Sequence, residues 1–359
     1  MIKVLFIGDQ HFKTDNIPEV ELFIQKITQL AEDKKPDIIL VAGDLLDTHE
    51  RIHTTPLNKA YEFIDKMRKI ALTYVLVGNH DMLNNGQFLT DNHWLNGMKE
   101  WDNTIIVDKV ICKKFGDILF TFVPYVSPGR FEEALNSNSN SDLDWKNSNC
   151  IFAHQEFYGC KMGAIVSIEG DKWDLNYPNV ISGHIHSKQR PQKNIYYPGS
   201  AMQHAFGEST KNIIAYLTFT EKERQSEGQS AYELEEIDLE LPRKKIVYMD
   251  VDKFDEYKVP DKENNDKIKL TVSGSFEEFK ALKKTKKYKD IMDKGIKLVF
   301  KADKIKKAEN VPEKIENETV FSTILNELVN EKKDNYLLEI YELVVNNKKI
   351  DKTDFMYIN

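Results

Sequence analysis

Five places in this chain share one pattern: an apolar run stops, and metal-ligand side chains follow. They carry Asp9 and His11 in "GDQH", Asp44 in "GDLLD", Asn79 and His80 in "GNHD", His154 in "FAHQE", and His184 and His186 in "GHIH". Carboxylate, amide and imidazole together form a set that a hard-to-borderline divalent cation accepts. Two such cations about 3.5–4 Å apart need a carboxylate between them, and Asp44 sits in the middle of the set. Each place alone has an ordinary explanation. A "GD" after a strand is usually a turn, a lone histidine on a strand is more often a satisfied core residue, and Asn in "GNHD" suits a left-handed turn. The joint pattern predicts a dinuclear metal centre, because five separate strand ends do not acquire such groups by chance. His184 and His186 alternate along an extended chain, so their rings point differently and one can serve each ion.

The elements that must position these groups are legible around them. "KVLFIGD", "DIILVAGD" and "YVLVGNHD" read as short buried strands. Between them, helices are expected over Pro18–Lys34, with Val20, Phe23, Ile24, Ile27, Leu30 and Ala31 on one stripe, and over Pro56–Ile70. This β-α-β-α-β order predicts a largely parallel sheet with helices on its faces, and sites in such sheets form at the carboxyl ends of the strands. Each of these strands ends in a glycine, which suits a sharp turn toward one centre. Further strands are expected at Ile118–Val123, Cys150–Ala153, Val180–Ser182, Ile213–Thr218 and Tyr232–Leu239.

After a boundary near Leu241, the pattern predicts strands at Lys245–Val251, Lys267–Ser273 and Lys297–Lys301 and one helix over Ser275–Asp290. That is a small α+β unit. A charged linker with Pro312 leads to two helical stripes. Val320, Phe321, Ile324, Leu325, Leu328 and Val329 form one; Tyr336, Leu337, Ile340, Tyr341, Val344 and Val345 form the other. The expected division is therefore 1–241, 242–307 and 308–359.

The chain has 359 residues, 41% of them hydrophobic and 30% charged, which fits a globular protein with a sizeable core. It has no apolar run of about 18 residues, so no membrane span is expected. "MIKVLFIGDQHF" goes straight into a strand, without the pattern of a signal peptide. Cys112, Cys150 and Cys160 contain no CxxC pair and fit reduced thiols in an intracellular, cytoplasmic protein. The net charge of −8 hides an asymmetry: residues 280–307 hold twelve lysines and three aspartates. Such a segment is either a solvated face or a phosphate-binding one.

The order GDxH, GD, GNHD, H, GHxH resembles the calcineurin-like metallophosphoesterases, over Met1 to about His186. The resemblance implies an α/β (α+β) fold, a β-sandwich flanked by helices. It implies one metal held by Asp9, His11, Asp44 and His186, and a second held by Asp44, Asn79, His154 and His184. His80 is then the catalytic acid beside the site. The implied cofactor is two Mn²⁺, with Mg²⁺, Fe or Zn as alternatives, and the implied reaction is phosphoester hydrolysis by a two-metal-activated water.

Fold cannot choose the phosphoester. "GDLLDTHERIH", "VLVGNHD" and "YYPGS" are similar to the SbcD-type exonuclease subunits of the meiotic-recombination-eleven family, most of all to the T-even phage recombination endonuclease subunits. This implies DNA as substrate, in recombination and double-strand break repair, with exonuclease and endonuclease activity. It implies a lysine-rich DNA-capping domain, with Lys283, Lys284, Lys286 and Lys287 on phosphates. It also implies C-terminal helices that bind an SbcC-type coiled-coil ATPase, and a homodimer within a heterotetramer. The chain has no GxxxxGK[ST], so ATP dependence must come from such a partner. His49, Arg51 and His53 follow Asp47 and either touch substrate phosphate or are plain surface residues. His204, after "PGSAMQ", is a candidate for the rim of the site. Two other functions remain open: a small-molecule phosphodiesterase or protein phosphatase of the same superfamily, and a non-catalytic DNA-binding subunit that keeps its metal for structure.

Overall fold

The computed structural model describes residues 1–137, 143–220, 232–259, 265–302, 329–330 and 341. Packing divides the chain into two compact units, Met1–Lys301 and Ala302–Asn359. In the second, Val329, Asn330 and Tyr341 are helical. The rest of both expected C-terminal stripes lies outside the described residues.

The first half runs β1 (Ile2–Ile7), α1 (Ile17–Lys34), β2 (Ile38–Val41), α2 (Thr54–Ile70), β3 (Leu72–Leu76), β4 (Thr104–Val107), β5 (Ile111–Phe115), β6 (Ile118–Val123), α3 (Phe131–Asn136) and β7 (Cys150–His154). A hairpin of β8 (Lys161–Met162) and β9 (Ile165–Val166) follows, then β10 (Val180–Gly183), β11 (Gln189–Gln192), β12 (Ile195–Tyr197), β13 (Ile214–Phe219) and β14 (Tyr232–Ile237). The last stretch is β15 (Lys244–Asp250), β16 (Lys267–Gly274), α4 (Phe276–Leu282), α5 (Lys286–Asp293) and β17 (Lys297–Ala302).

Two six-stranded sheets form a sandwich, in the orders β14-β13-β1-β2-β3-β4 and β11-β12-β10-β7-β6-β5. The strands β1 to β4 are parallel, as are β6, β7, β10 and β12. Strands buried on both faces read as nearly continuous apolar runs, and their alternation sorts the side chains into two cores. Val4, Phe6, Leu40, Tyr74 and Leu76 face the second sheet, where Phe120, Phe122, Phe152 and Ile181 meet them. Tyr74 stacks on Phe122 with centroids 4.0 Å apart. The alternate residues Leu5, Ile7, Ile39, Val41 and Val75 pack under Phe23, Ile27, Phe63 and Met67 of α1 and α2. A third core, with Phe131, Trp145, Phe157 and Trp173, covers the outer face of the second sheet. The helix-flanked β-sandwich expected from the sequence is therefore present.

The small sheet β15-β16-β17 has its own core of Phe254, Leu270, Val272, Leu282, Ile291 and Ile296. The single helix expected over Ser275–Asp290 is instead two. Ser275 closes a capping box with Glu278 on α4, and Thr285 accepts from the Tyr288 amide and starts α5 afresh. A hydroxyl that satisfies the orphan amides of a new first turn ends the previous helix more cheaply than it sits inside one. Among the described residues the cysteines form no disulfide. Among the described residues no helix is long and apolar enough to cross a membrane.

Candidate metal centre

The two parallel stacks end at one edge. Asp9 and His11 follow β1, Asp44 follows β2, Asn79 and His80 follow β3, His154 ends β7, and His184 and His186 follow β10. The turns there are tight enough to force unfavourable backbones. His11, Asp44 and His184 have φ of 43°, 50° and 78°. Side chains other than glycine visit this region at a cost of roughly 1–2 kcal/mol each. Three ligand-type residues sharing it marks a site whose geometry outweighs local comfort.

All seven expected ligands converge, in two groups joined by Asp44. Asn79 Oδ1 lies 2.9 Å from His184 Nδ1 and 3.1 Å from His154 Nε2, and His154 Nε2 lies 3.3 Å from Asp44 Oδ2. On the other side, His11 Nε2 lies 3.0 Å from His186 Nε2 and 3.6 Å from the same Asp44 Oδ2. Asp9 Oδ1 accepts from the His184 amide at 2.8 Å, while its Oδ2 is buried with no hydrogen-bond partner.

Partners on the far ring nitrogens fix which atoms face inward. His154 Nδ1 is 2.6 Å from the Ala42 carbonyl, so Nδ1–H donates there and Nε2 is the nitrogen turned toward the site. His186 Nδ1 donates to Glu208 at 3.2 Å, leaving Nε2 toward His11. Metal-ligating imidazoles are oriented in this way. The residues fit divalent cations by their donors and by what is unsatisfied without them. Two Nε2 atoms facing each other at 3.0 Å suit ligands of one ion, and the bare Asp9 Oδ2 is an acceptor that burial makes costly.

The electrostatics agree. Burial, then the charges of neighbouring imidazoles, holds His11 well below the ordinary range and His184 down at about 3, so both rings offer lone pairs at neutral pH. Burial also pushes Asp44 up, but His154, His11 and His80 outweigh it and hold the carboxylate ionised. His154 and His186 go the other way: burial lowers both, but the Asp44 carboxylate raises His154 to about 9, and the Glu208 and Asp9 carboxylates raise His186. A cation held there would have to displace the His154 proton, and its uptake would then depend on pH.

His80 stands beside this cluster. Its amide donates to Asp44 Oδ1 at 2.8 Å and its Nδ1 is 2.7 Å from the Asp47 carbonyl. Its ring meets His11 edge-on at 4.8 Å and stacks on His49 at 4.6 Å. His49 thus reaches the site through His80. Among the described residues, no hydrogen bond or ion pair joins Arg51, Lys283, Lys284, Lys286 or Lys287 to it. A cavity of about 320 Å³ opens beside Asp47, lined in part by Lys13, Thr48 and His53.

Two carboxylates that organise the site were not singled out from the sequence. Asp81 accepts from the amides of Gly78, Asp44 and Leu45 and from the Trp94 indole, at 2.8–3.1 Å. Burial, then the nearby Asp44 charge, pushes Asp81 up to about 6. Its signal was present as the last letter of "GNHD". Glu208 clamps His186 from 22 residues away, and no short-range pattern marks it.

Imidazoles and carboxylates grouped around one shared aspartate, at the edge of a helix-flanked sandwich, define a metal-dependent phosphoesterase site. The chain belongs to the Calcineurin-like phosphoesterase family, whose profile matches residues 2–188. An inferred phosphoesterase, 244L of Invertebrate iridescent virus 6, is 54% identical over 79% of this chain and 98% of its own length. Its counterpart 078R of Invertebrate iridescent virus 3 is 47% identical over 84% of each. A component of the nuclease SbcCD of Staphylococcus epidermidis is 23% identical over 54% of this chain and 58% of its own length.

Proposed function

We propose that this phosphoesterase is a DNA nuclease subunit, working with two divalent cations, Mn²⁺ first among those to test, and with an SbcC-type ATPase in recombination and break repair. The observation that carries the substrate is the lysine content of the small domain's surface. Lys280, Lys283, Lys284, Lys286, Lys289, Lys294, Lys297 and Lys301 are exposed, and none has an ion-pair partner among the described residues. Unpaired lysines without base-reading side chains suit sequence-independent backbone binding. The name of the distant Staphylococcus relative points the same way.

In this reading Asp9, His11, Asp44 and His186 hold one ion, and Asp44, Asn79, His154 and His184 the other. When bound, the pair supplies Lewis acidity and an acidified water. The chain's own part is to fix these ligands and deliver a proton. His80, anchored through Nδ1 at the Asp47 carbonyl and braced by His49, presents Nε2 to the leaving oxygen.

The test uses linear DNA and a chromogenic phosphodiester, each with Mn²⁺ and with EDTA. Both activities are expected to need the metal. Charge reversal of Lys283, Lys284, Lys286 and Lys287 is expected to leave the small ester within about twofold. It should slow DNA degradation roughly tenfold or more and flatten its salt dependence. Cleavage of the small ester with DNA untouched would instead support a small-molecule phosphodiesterase. Deletion of residues 319–359 is expected to keep the chemistry and lose capture of a coiled-coil ATPase; undiminished capture overturns the partner reading.

A further inference from the structure

His204 belongs neither to the five strand-end motifs nor to the ligand set implied by the family pattern, yet the fold carries it into the centre. It follows β12 in "PGSAMQHAFGE" and is 7% exposed. Its ring meets His11 at 4.8 Å and His186 at 5.0 Å, edge-on to both. One nitrogen from each of the three rings lies within 4.8 Å of the others. Its Nε2 is 3.0 Å from the Asp9 carbonyl oxygen, so Nε2–H donates there and the lone pair resides on Nδ1. That Nδ1 is buried and has no hydrogen-bond partner. An imidazole with one nitrogen tied to a backbone carbonyl, the other bare, and its ring against two more imidazoles has the disposition of a metal ligand.

The surroundings hold His204 in step with a second ligand. Glu208 Oε2 accepts from the His204 and Ala205 amides at 2.8 and 2.9 Å, while Oε1 takes His186 Nδ1 at 3.2 Å. One carboxylate therefore registers both histidines. Lys244, the first residue of β15, donates Nζ to the carbonyls of Gln203 and His204 at 2.8 Å each. Its backbone amide donates to the Gln203 side chain at 2.7 Å.

We infer that His204 is a further ligand of the ion on the Asp9 side, through Nδ1, and that it tilts this position toward Zn²⁺ or Fe²⁺ over Mn²⁺. The inference rests on the two-metal reading above. Three imidazoles beside the Asp9 and Asp44 carboxylates suit borderline cations, whereas Mn²⁺ suits oxygen-rich sets. The other position has only His154 and His184 beside its oxygen donors, so the two ions need not be the same element.

The test loads metal-free protein with Zn²⁺ or Mn²⁺. It reads bound metal by mass spectrometry and affinity by chelator competition. Wild type is expected to bind two Zn²⁺. In His204→Ala and the space-filling His204→Phe, one Zn²⁺ is expected to weaken by at least about 10–100-fold while the second is unchanged and Mn²⁺ binding shifts little. The Co²⁺-loaded absorption band of one position should change, and added imidazole should restore it in His204→Gly. Circular dichroism of the metal-free variants establishes that they fold. Unchanged affinity and spectrum in a folded variant, or equal losses at both positions for both metals, overturn the inference and leave the family's site standing. Wild type that binds no ion overturns both.

Discussion

Asp44→Asn is expected to lose metal-dependent phosphoester hydrolysis by roughly 10³-fold or more, because the transition-state charge loses its preorganised setting. The substitution keeps the shape, and its amide oxygen can still accept from the His80 amide, as Asp44 Oδ1 does at 2.8 Å. What it removes is the charge on the oxygen that faces both groups, 3.3 Å from His154 Nε2 and 3.6 Å from His11 Nε2. Among the described residues no other carboxylate oxygen lies this close to a candidate ligand histidine of each group, so no other side chain would replace Asp44 as the shared donor. Thermal unfolding separates this from a folding defect. Added metal raises the wild-type midpoint by mass action, and the variant should lose that rise while its metal-free midpoint stays within about 4 °C. A variant that still gains stability from metal and still hydrolyses the ester would mean that Asp44 is not the shared ligand.

The reach and the limit of the sequence have one physical origin. The strands before Asp9, Asp44 and Asn79 are covered on both faces, so they read as unbroken apolar runs. Ligands placed one or two residues past such a run are visible. The roles of the groups that set them are not, because their partners come from elsewhere in the chain. His204 meets the Asp9 carbonyl across 195 residues and Asp81 meets the Asp44 amide across 37. Strand β4 is short, and β5 carries two lysines in five residues, so neither stands out by pattern. The split between α4 and α5 turned on one hydroxyl, Thr285, inside an otherwise helical charge pattern. His49, Arg51 and His53 were equivalent as a sequence; the fold stacks His49 on His80, sets His53 on a neighbouring cavity and leaves Arg51 exposed.

Gly78→Ala should be nearly as damaging as removing a ligand, though Gly78 has no side chain to offer a metal. A β-carbon there would overlap the amide and carboxylate of Asp44. Asp44 cannot yield easily. Its φ is already 50°, and its amide is held by Asp81, which also holds the Gly78 amide at 3.0 Å. Gly43, at φ 97°, has no slack either, since its own added β-carbon would come within 3.0 Å of Gly78 Cα. The added methyl therefore has to move the bridge between the two ligand groups, at a cost of about 1–3 kcal/mol in stability. If Asp44 is the shared ligand, uptake of both ions should fall by roughly 100-fold, since the donor itself would be displaced rather than merely reoriented. Gly97→Ala is the control: its β-carbon would meet Tyr61 Oη at 3.6 Å, an ordinary contact, so stability should change by about 0.5 kcal/mol or less. Denaturant unfolding and metal titration of the two variants decide the matter. Full metal affinity in Gly78→Ala would show that the Asp44 turn can relax, and that its strained backbone is not what holds the two ligand groups together.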